Sequence, residues 1–191
     1  MGGATVEGLI KGKQFKNEDI TVSDPSQAVV EKFSKMGVSV TTDNKLAADS
    51  ADIVCVVVKP WLVERVLKDI RPELDPKKQI LIVIAAGVSS ESIKEWLGEQ
   101  CPPLFLVIPN IASAERASMT FIVPIGAAED HIKTVVGIFD EMGNTLITDS
   151  STWPLALPSP LVASPMPCAI SVLLPKAVWN WASRPTTRRP S

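Results

Sequence analysis

Histidine and cysteine are scarce in this chain, and the scarcity narrows its chemistry. One histidine, His131, and three cysteines, Cys55, Cys101 and Cys168, occur among 191 residues. The cysteines match no metal-ligand spacing, and their odd number argues against a disulfide framework and for a reducing, cytosolic compartment. No catalytic dyad or nucleophile elbow is evident, and His131 reads as exposed surface early in a late helix. A large excess of one charge is also missing. The net charge of −2 gives no reason to expect a nucleic-acid partner. No basic stretch followed by an apolar run opens the chain, so no signal peptide is read.

The sharpest absence is regional. All ten glycines lie at or before Gly143 and all 21 acidic residues at or before Asp149. Residues 150–191 hold half of the sixteen prolines and the basic residues Lys176, Arg184, Arg188 and Arg189. The body therefore carries a net charge of −6 and the tail +4. A domain boundary rarely changes composition so completely. Six prolines from Pro154 to Pro175 interrupt any helix, and no membrane span is read there despite the lack of charge.

What is present in residues 1–149 is a set of short apolar runs alternating with helical patterns. Residues 53–58 (Ile-Val-Cys-Val-Val-Val) are unbroken and mostly β-branched, as expected of a strand buried on both faces. Residues 79–85 and 104–108 read the same way, and further strands are expected at 19–23, 38–42, 119–125 and 144–147. Helices are expected at 6–10, 24–36, 62–70, 89–97 and 129–142, and a short helix or turn at 45–50. Gly12 and Gly37 close two of them. At the second helix, Ser23 or Asp24 is expected to cap and Pro25 to sit in the first turn. With 46% hydrophobic residues the chain can bury a sizeable core. The alternation predicts an α/β fold, a doubly wound, mostly parallel Rossmann-type sheet. In such sheets ligands collect outside the carboxyl ends of the strands, which makes the Val57-Val58-Lys59-Pro60 corner a candidate binding edge, or simply a core strand stopping at a turn.

In order and at fitting spacing, these residues resemble the pyrroline-5-carboxylate reductase family. Met1-Gly2-Gly3-Ala4 resembles the end of its phosphate-loop signature, Gly-x-Gly-Asn-Met-Gly-Gly-Ala. Residues 20–24 (Ile-Thr-Val-Ser-Asp), Gly37-Val38, Thr42-Asp43-Asn44, Ala51-Asp52-Ile53-Val54 and Val58-Lys59-Pro60 follow. Ala85-Ala86-Gly87-Val88 and Ile108-Pro109-Asn110 complete the set. The resemblance implies NAD(P)H-dependent reduction of the C=N bond of 1-pyrroline-5-carboxylate to proline, with NADP as cofactor and NAD as the alternative. The cofactor carries the chemistry and the protein supplies position and field.

The implied cofactor-binding residues are Met1, Gly2, Gly3, Ser23, Asp24, Asn44, Val58, Lys59, Pro60, Ala85, Gly87 and Asn110; no catalytic residue or metal ligand is implied. Gly2 and Gly3 admit a pyrophosphate at a helix N-terminus, or serve helix–sheet packing. At the ribose corner a Ser23 hydroxyl suits a 2′-phosphate. An acid at Asp24 suits a free ribose and repels the phosphate, or is a plain helix cap. Asn44 falls at the adenine end, or is a polar loop residue. Asn110 falls near the nicotinamide and substrate, or is a turn residue. The family's usual Thr after Pro-Asn is Ile111 here. Other readings are a non-catalytic dinucleotide-binding protein and another dehydrogenase of the same superfamily.

Two departures from the family pattern shape further expectations. The strand preceding the Gly-Gly helix is not in the chain, so the sheet is expected to lack its first strand unless the gap is closed, a strand is borrowed, or a solvated cleft remains. The family is a homo-oligomer with a helical dimerisation domain, which residues 150–191 do not resemble. They read instead as an irregular proline-rich tail, translated out of frame, and the chain is expected to be inactive as it stands. Re-reading codons for 155–170 and 175–183 in the shifted frame restores Gly, Glu and Tyr in a family-like peptide. A disordered linker or a membrane-associating segment are the other readings of the tail. Sequencing the coding DNA around codons 148–156 tests this: the expected result is a family-like peptide in the shifted frame, and an intact single frame without one refutes it.

Overall fold

A computed structural model describes residues 1–12 and 14–149 together with the backbone of 170–174. Its strands are β1 (Thr21–Ser23), β2 (Ser39–Thr41), β3 (Ile53–Val57), β4 (Ile80–Val83), β5 (Leu104–Ile108), β6 (Ser118–Ile125), β7 (Gly143–Ile147) and β8 (Ile170–Leu174). They form one sheet in the order β2-β1-β8-β3-β4-β5-β6-β7. β1 and β2 are parallel, as are β3, β4 and β5, and β6 and β7. β6 runs antiparallel to β5, and β8 antiparallel to both of its neighbours.

The period-2 geometry of a strand explains how the unbroken apolar runs are used. Ile53, Cys55 and Val57 of β3 point to one face, with Ile82, Phe105 and Val107. On that face lie α1 (Gly2–Lys11), α2 (Gln27–Ser34) and α6 (Glu129–Asp140), which contribute Val6, Leu9, Phe33, Val135, Ile138 and Phe139. Val54 and Val56 point to the other face, with Leu81, Val83, Leu104 and Leu106. There α3 (Asn44–Asp49), α4 (Pro60–Ile70) and α5 (Ser90–Leu97) contribute Ala47, Val63, Leu67, Ile93 and Leu97. Both faces of the central strands are dry, which is why the run from Ile53 needs no polar alternation.

The gap expected beside β1 is filled by a borrowed strand. Thr21, Val22 and Ser23 pair with Leu173, Val172 and Ser171. On the other side, residues 53–57 pair with residues 174–170. The expectation of an irregular tail does not hold at 170–174, where two open ladders pair an extended segment, Ile-Ser-Val-Leu-Leu, whose apolar and β-branched residues suit a strand. The rest of 150–191, including most of the proline-rich stretch, lies outside the described residues.

Two helix starts also differ from expectation. The Asp24 amide donates to the Thr41 carbonyl (3.2 Å), so residue 24 still continues the sheet. Its carboxylate accepts from the Ser26 amide at 2.8 Å, and α2 begins only at Gln27, with Ser26 as a cap whose side chain makes no capping bond. Conversely, Pro60 sits in the first turn of α4, which starts two residues earlier than the apolar pattern suggests.

α1 seats against the 3₁₀ segment Ile111–Glu115 through Gly8. A Cβ at Gly8 would overlap the Ser113 carbonyl oxygen and come within 2.9 Å of Met142 Cγ. We therefore expect Gly8→Ala to cost about 1–3 kcal/mol of stability by overpacking. Urea unfolding measures this, and an unchanged midpoint would contradict the close seat of α1.

Candidate cofactor-binding edge

The carboxyl ends of β1, β3, β4 and β5 share one edge of the sheet because these strands are mutually parallel. The row from β1 to β5 crosses four inter-strand steps, or roughly 19 Å. All of the sequence-predicted site residues after Gly3 lie along it or in the first residues beyond it. The Ser23 hydroxyl, at the end of β1, donates to Asn44 Oδ1 at 2.9 Å. Asn44 is brought there by Asp43, which caps α3 by accepting from the amides of Lys45 (2.9 Å) and Leu46 (3.4 Å). Ser23, Asp24 and Asn44 thus form one corner.

Asp24 is the unusual member of that corner. Its side chain is almost wholly buried, and while one carboxylate oxygen takes the Ser26 amide, the other, Oδ2, has no hydrogen-bond partner. Burial raises its pKa above the usual aspartate value, and the Ser26 bond offsets this only in part. An orphaned buried acceptor carries a desolvation cost that a donor arriving from outside would relieve.

Farther along the edge, Val58 is buried and Lys59 and Pro60 are half-buried at the turn from β3 into α4. Ala85 is buried after β4, and Gly87 turns outward at φ +79°, with no atom within 4 Å of where a Cβ would stand. That conformation favours glycine, and the space around it is open. Asn110 is exposed; its Oδ1 accepts from the Ala112 amide at 3.0 Å and starts the 3₁₀ segment. Its turn role is therefore real. Met1 and Gly2 begin α1, where no side chain caps the amino end, and the nearest atom to a Cβ on Gly3 would be Phe33 Cζ at 3.8 Å.

Sequence reasoning missed a polar cluster behind Asn110. The Asn110 amide donates to Ser118 Oγ (3.3 Å), Ser118 and Thr120 hydroxyls lie 3.0 Å apart, and Ser113 Oγ donates to the Asn110 carbonyl at 2.7 Å. Ser113, Ser118 and Thr120 are buried, and nothing in their local pattern signals this before β6 is known to run back along β5. Exposed apolar side chains also gather at this edge: Trp61, just after Pro60, and Ile111, just after Asn110. His131 is half-buried rather than exposed, and its Nδ1 has no partner. It sits at the start of α6, which follows Ile125 at the opposite edge. Cys55, in β3, is buried against the helices, where loss of solvent pushes its thiol up to about 12, so it has no nucleophilic role.

The strand order and the helices on both faces define a mostly parallel, Rossmann-type α/β fold. The family model described as NADP oxidoreductase, coenzyme F420-dependent, matches residues 1–87. Over 148 residues the chain is 30% identical to pyrroline-5-carboxylate reductase of Methanosarcina acetivorans, an alignment covering 76% of this chain and 54% of that protein. It is 31% identical over 128 residues to the reductase of Aquifex aeolicus, covering 67% and 46%. Among solved structures, a pyrroline-5-carboxylate reductase from Coxiella burnetii superposes with a TM-score of 0.72 at 28% identity, covering 78% of this chain and 55% of that one. The Plasmodium falciparum pyrroline carboxylate reductase, solved with NADP bound, shares the fold with a TM-score of 0.73 at 22% identity, covering 82% and 56%. Over most of its length the chain is similar in sequence and fold to the pyrroline-5-carboxylate reductases. It spans about half the length of relatives such as the M. acetivorans and A. aeolicus enzymes.

The state of Asp24 has a measurable consequence. A carboxyl whose pKa is raised by folding holds its proton to higher pH in the native than in the unfolded chain. Its contribution to stability is therefore present at low pH and lost as pH rises from the ordinary aspartate value through the raised one. Asp24→Asn keeps an acceptor for the Ser26 amide and removes the titration. Urea midpoints followed across that pH window should fall less steeply in the variant; identical slopes would show that Asp24 titrates normally.

Proposed function

We propose that this chain supplies the cofactor half of an NADP(H)-dependent reduction of 1-pyrroline-5-carboxylate to proline, a step of proline synthesis, in the cytosol. The observation that supports this most directly is the collection of the family-like motifs on one carboxyl edge, in a domain similar in sequence and fold to those reductases. The free thiols of Cys55 and Cys101 are in keeping with a reducing compartment.

The residues of the edge suit a dinucleotide in different degrees. In this reading the uncapped start of α1 faces the pyrophosphate, and its amides favour negative charge there. Ser23, Asp24 and Asn44 hold the adenosine ribose. The orphaned Asp24 Oδ2 suits a ribose hydroxyl donor, and it suits a 2′-phosphate only while the carboxyl keeps its proton. Val58, Lys59, Pro60, Ala85, Gly87 and Asn110 border the nicotinamide and its phosphates. The bound cofactor supplies the hydride that reduces the C=N carbon. The chain's own part is to hold and orient, with Trp61 and Ile111 giving the edge an apolar rim that excludes water from the reacting end.

One structural feature favours a second reading, a dinucleotide-binding protein without turnover. β8 enters the sheet at the carboxyl edge, so the strand beside α1 does not run into it through a glycine turn. Titrating the purified chain with NADPH and with NADH, then adding pyrroline-5-carboxylate and following proline formation, separates the two. Saturable binding with substrate-dependent cofactor oxidation supports the first reading and overturns the expectation of an inactive chain. Binding without turnover selects the second reading, and no saturable binding of either nucleotide rejects both.

A further inference from the structure

Buried hydroxyls collect where β5 and β6 separate. The ladder between these strands ends at the Ile108–Phe121 pair, and Ser118, Met119 and Thr120 at the start of β6 lie beyond it, paired with β7 alone. Ser118 and Thr120, two apart in a strand, share a face, and their hydroxyls lie 3.0 Å apart. Ser113, in the 3₁₀ segment, adds another. Each of these residues is at most 2% exposed.

Packing alone does not call for them. Exchanging hydrogen-bonded partners in a core for apolar groups of the same shape is close to neutral, so Ala and Val would fill the same space. What the hydroxyls do is take over the backbone of Asn110, which has run past the last ladder pair. The Asn110 amide donates to Ser118 Oγ at 3.3 Å, and Ser113 Oγ donates to the Asn110 carbonyl at 2.7 Å. Ser118 is itself fixed: its amide donates to the Met142 carbonyl at 2.9 Å, and a Cβ on Gly143 would overlap its carbonyl oxygen. The 3₁₀ segment is held from the other side by α1, whose Lys11 Nζ donates to the Ala114 carbonyl at 2.7 Å.

The consequence falls on the Asn110 side chain. Its Oδ1 accepts from the Ala112 amide at 3.0 Å, and since an N–H can face only the oxygen of a carboxamide, that bond sets which way the group is turned. Nδ2 makes no hydrogen bond among the described residues, and Asn110 is exposed at the carboxyl edge. Its N–H groups are therefore oriented donors, open to an acceptor from solution.

We propose that Ser118, Thr120 and Ser113 are positioning residues, which hold Asn110 so that Nδ2 donates to a ligand oxygen of carboxamide or carboxylate type at the carboxyl edge. The nicotinamide carboxamide and the pyrroline carboxylate both carry such an oxygen; the identity of the ligand rests on the reductase reading.

Ser118→Ala and Thr120→Val each remove a hydroxyl with little change of shape, and Thr120→Ser keeps it. In the ligand-free chains, hydrogen exchange of the Asn110 amide should rise about three- to ten-fold in Ser118→Ala, the range of one lost hydrogen bond. The rise should be smaller in Thr120→Val and absent in Thr120→Ser. Calorimetry then measures affinity for NADPH, for 2′-phospho-ADP-ribose, which lacks the nicotinamide, and for proline in the presence of NADP⁺. We expect 2′-phospho-ADP-ribose to bind all chains alike. NADPH or proline should bind Ser118→Ala and Thr120→Val about three- to ten-fold more weakly, with parental affinity in Thr120→Ser. A loss for NADPH assigns the acceptor to the nicotinamide, and a loss confined to proline assigns it to the carboxylate. Should Ser118→Ala not fold, the Thr120 pair carries the comparison. Equal weakening for 2′-phospho-ADP-ribose marks a merely structural effect and overturns the proposal, as does parental affinity in both hydroxyl-free variants. A parent chain that binds no nucleotide rejects the reductase reading instead; exchange of the Asn110 amide then decides the positioning role, and no rise in either hydroxyl-free variant overturns it.

Discussion

The structure depends on closing the ladder between β1 and β3. An unpaired buried amide or carbonyl costs about 1–3 kcal/mol, and a typical domain has only about 5–15 kcal/mol of net stability to set against it. β1 contributes three residues and β3 five to the facing edges of the gap between them, so leaving it empty and dry would consume much of that margin. Hydrophobic packing cannot substitute, because both faces of β3 are already covered by helices. Only another extended backbone can solve the problem, and 170–174 is the segment that does so in this structure.

That constraint reaches the candidate site directly. Ser23 and Asp24 end β1, and Val58 to Pro60 follow β3. Their separation along the carboxyl edge is set by what lies between the two strands. With β8 in place the spacing is two inter-strand steps, roughly 10 Å, whichever way the intervening strand runs. Direction does matter for what is offered to a ligand at that point. A parallel strand would bring its carboxyl end to the edge and could turn straight into α1, whereas β8 brings Ile170 there, at its amino end. Ladder closure thus does not depend on the direction of the intervening strand, and β8 provides it.

The parts of the fold that were legible in the sequence are those decided by local physics. The unbroken runs at 53–58, 79–85 and 104–108 became β3, β4 and β5 because continuous β-branched and apolar residues leave no face for water. The helix expected over 89–97 became α5, which Ser89 caps by accepting the Ser92 amide. What could not be read came from partners distant in sequence. The start of α2 is displaced because the Asp24 amide is committed to Thr41, seventeen residues away. The buried hydroxyls behind Asn110 require β6 to run antiparallel to β5, which no spacing announces. β8 lies within a segment whose composition argued against order, and its pairing is decided by two strands more than a hundred residues earlier.

The same distinction sorts the candidate residues of the edge. Gly87 and Pro60 are explained by their own backbone: a positive φ in one case and a helix first turn in the other. Asn110 and Asp43 are explained by the amides they cap. Asp24 is different, because local structure uses one of its oxygens and leaves the second buried without a donor. A turn needs only the first. An unpaired acceptor beside Ser23 and Asn44, at the end of β1, has no role in holding the fold together and costs it stability. Among the residues of this edge, Asp24 is therefore the one that keeps a buried acceptor without a hydrogen-bond partner.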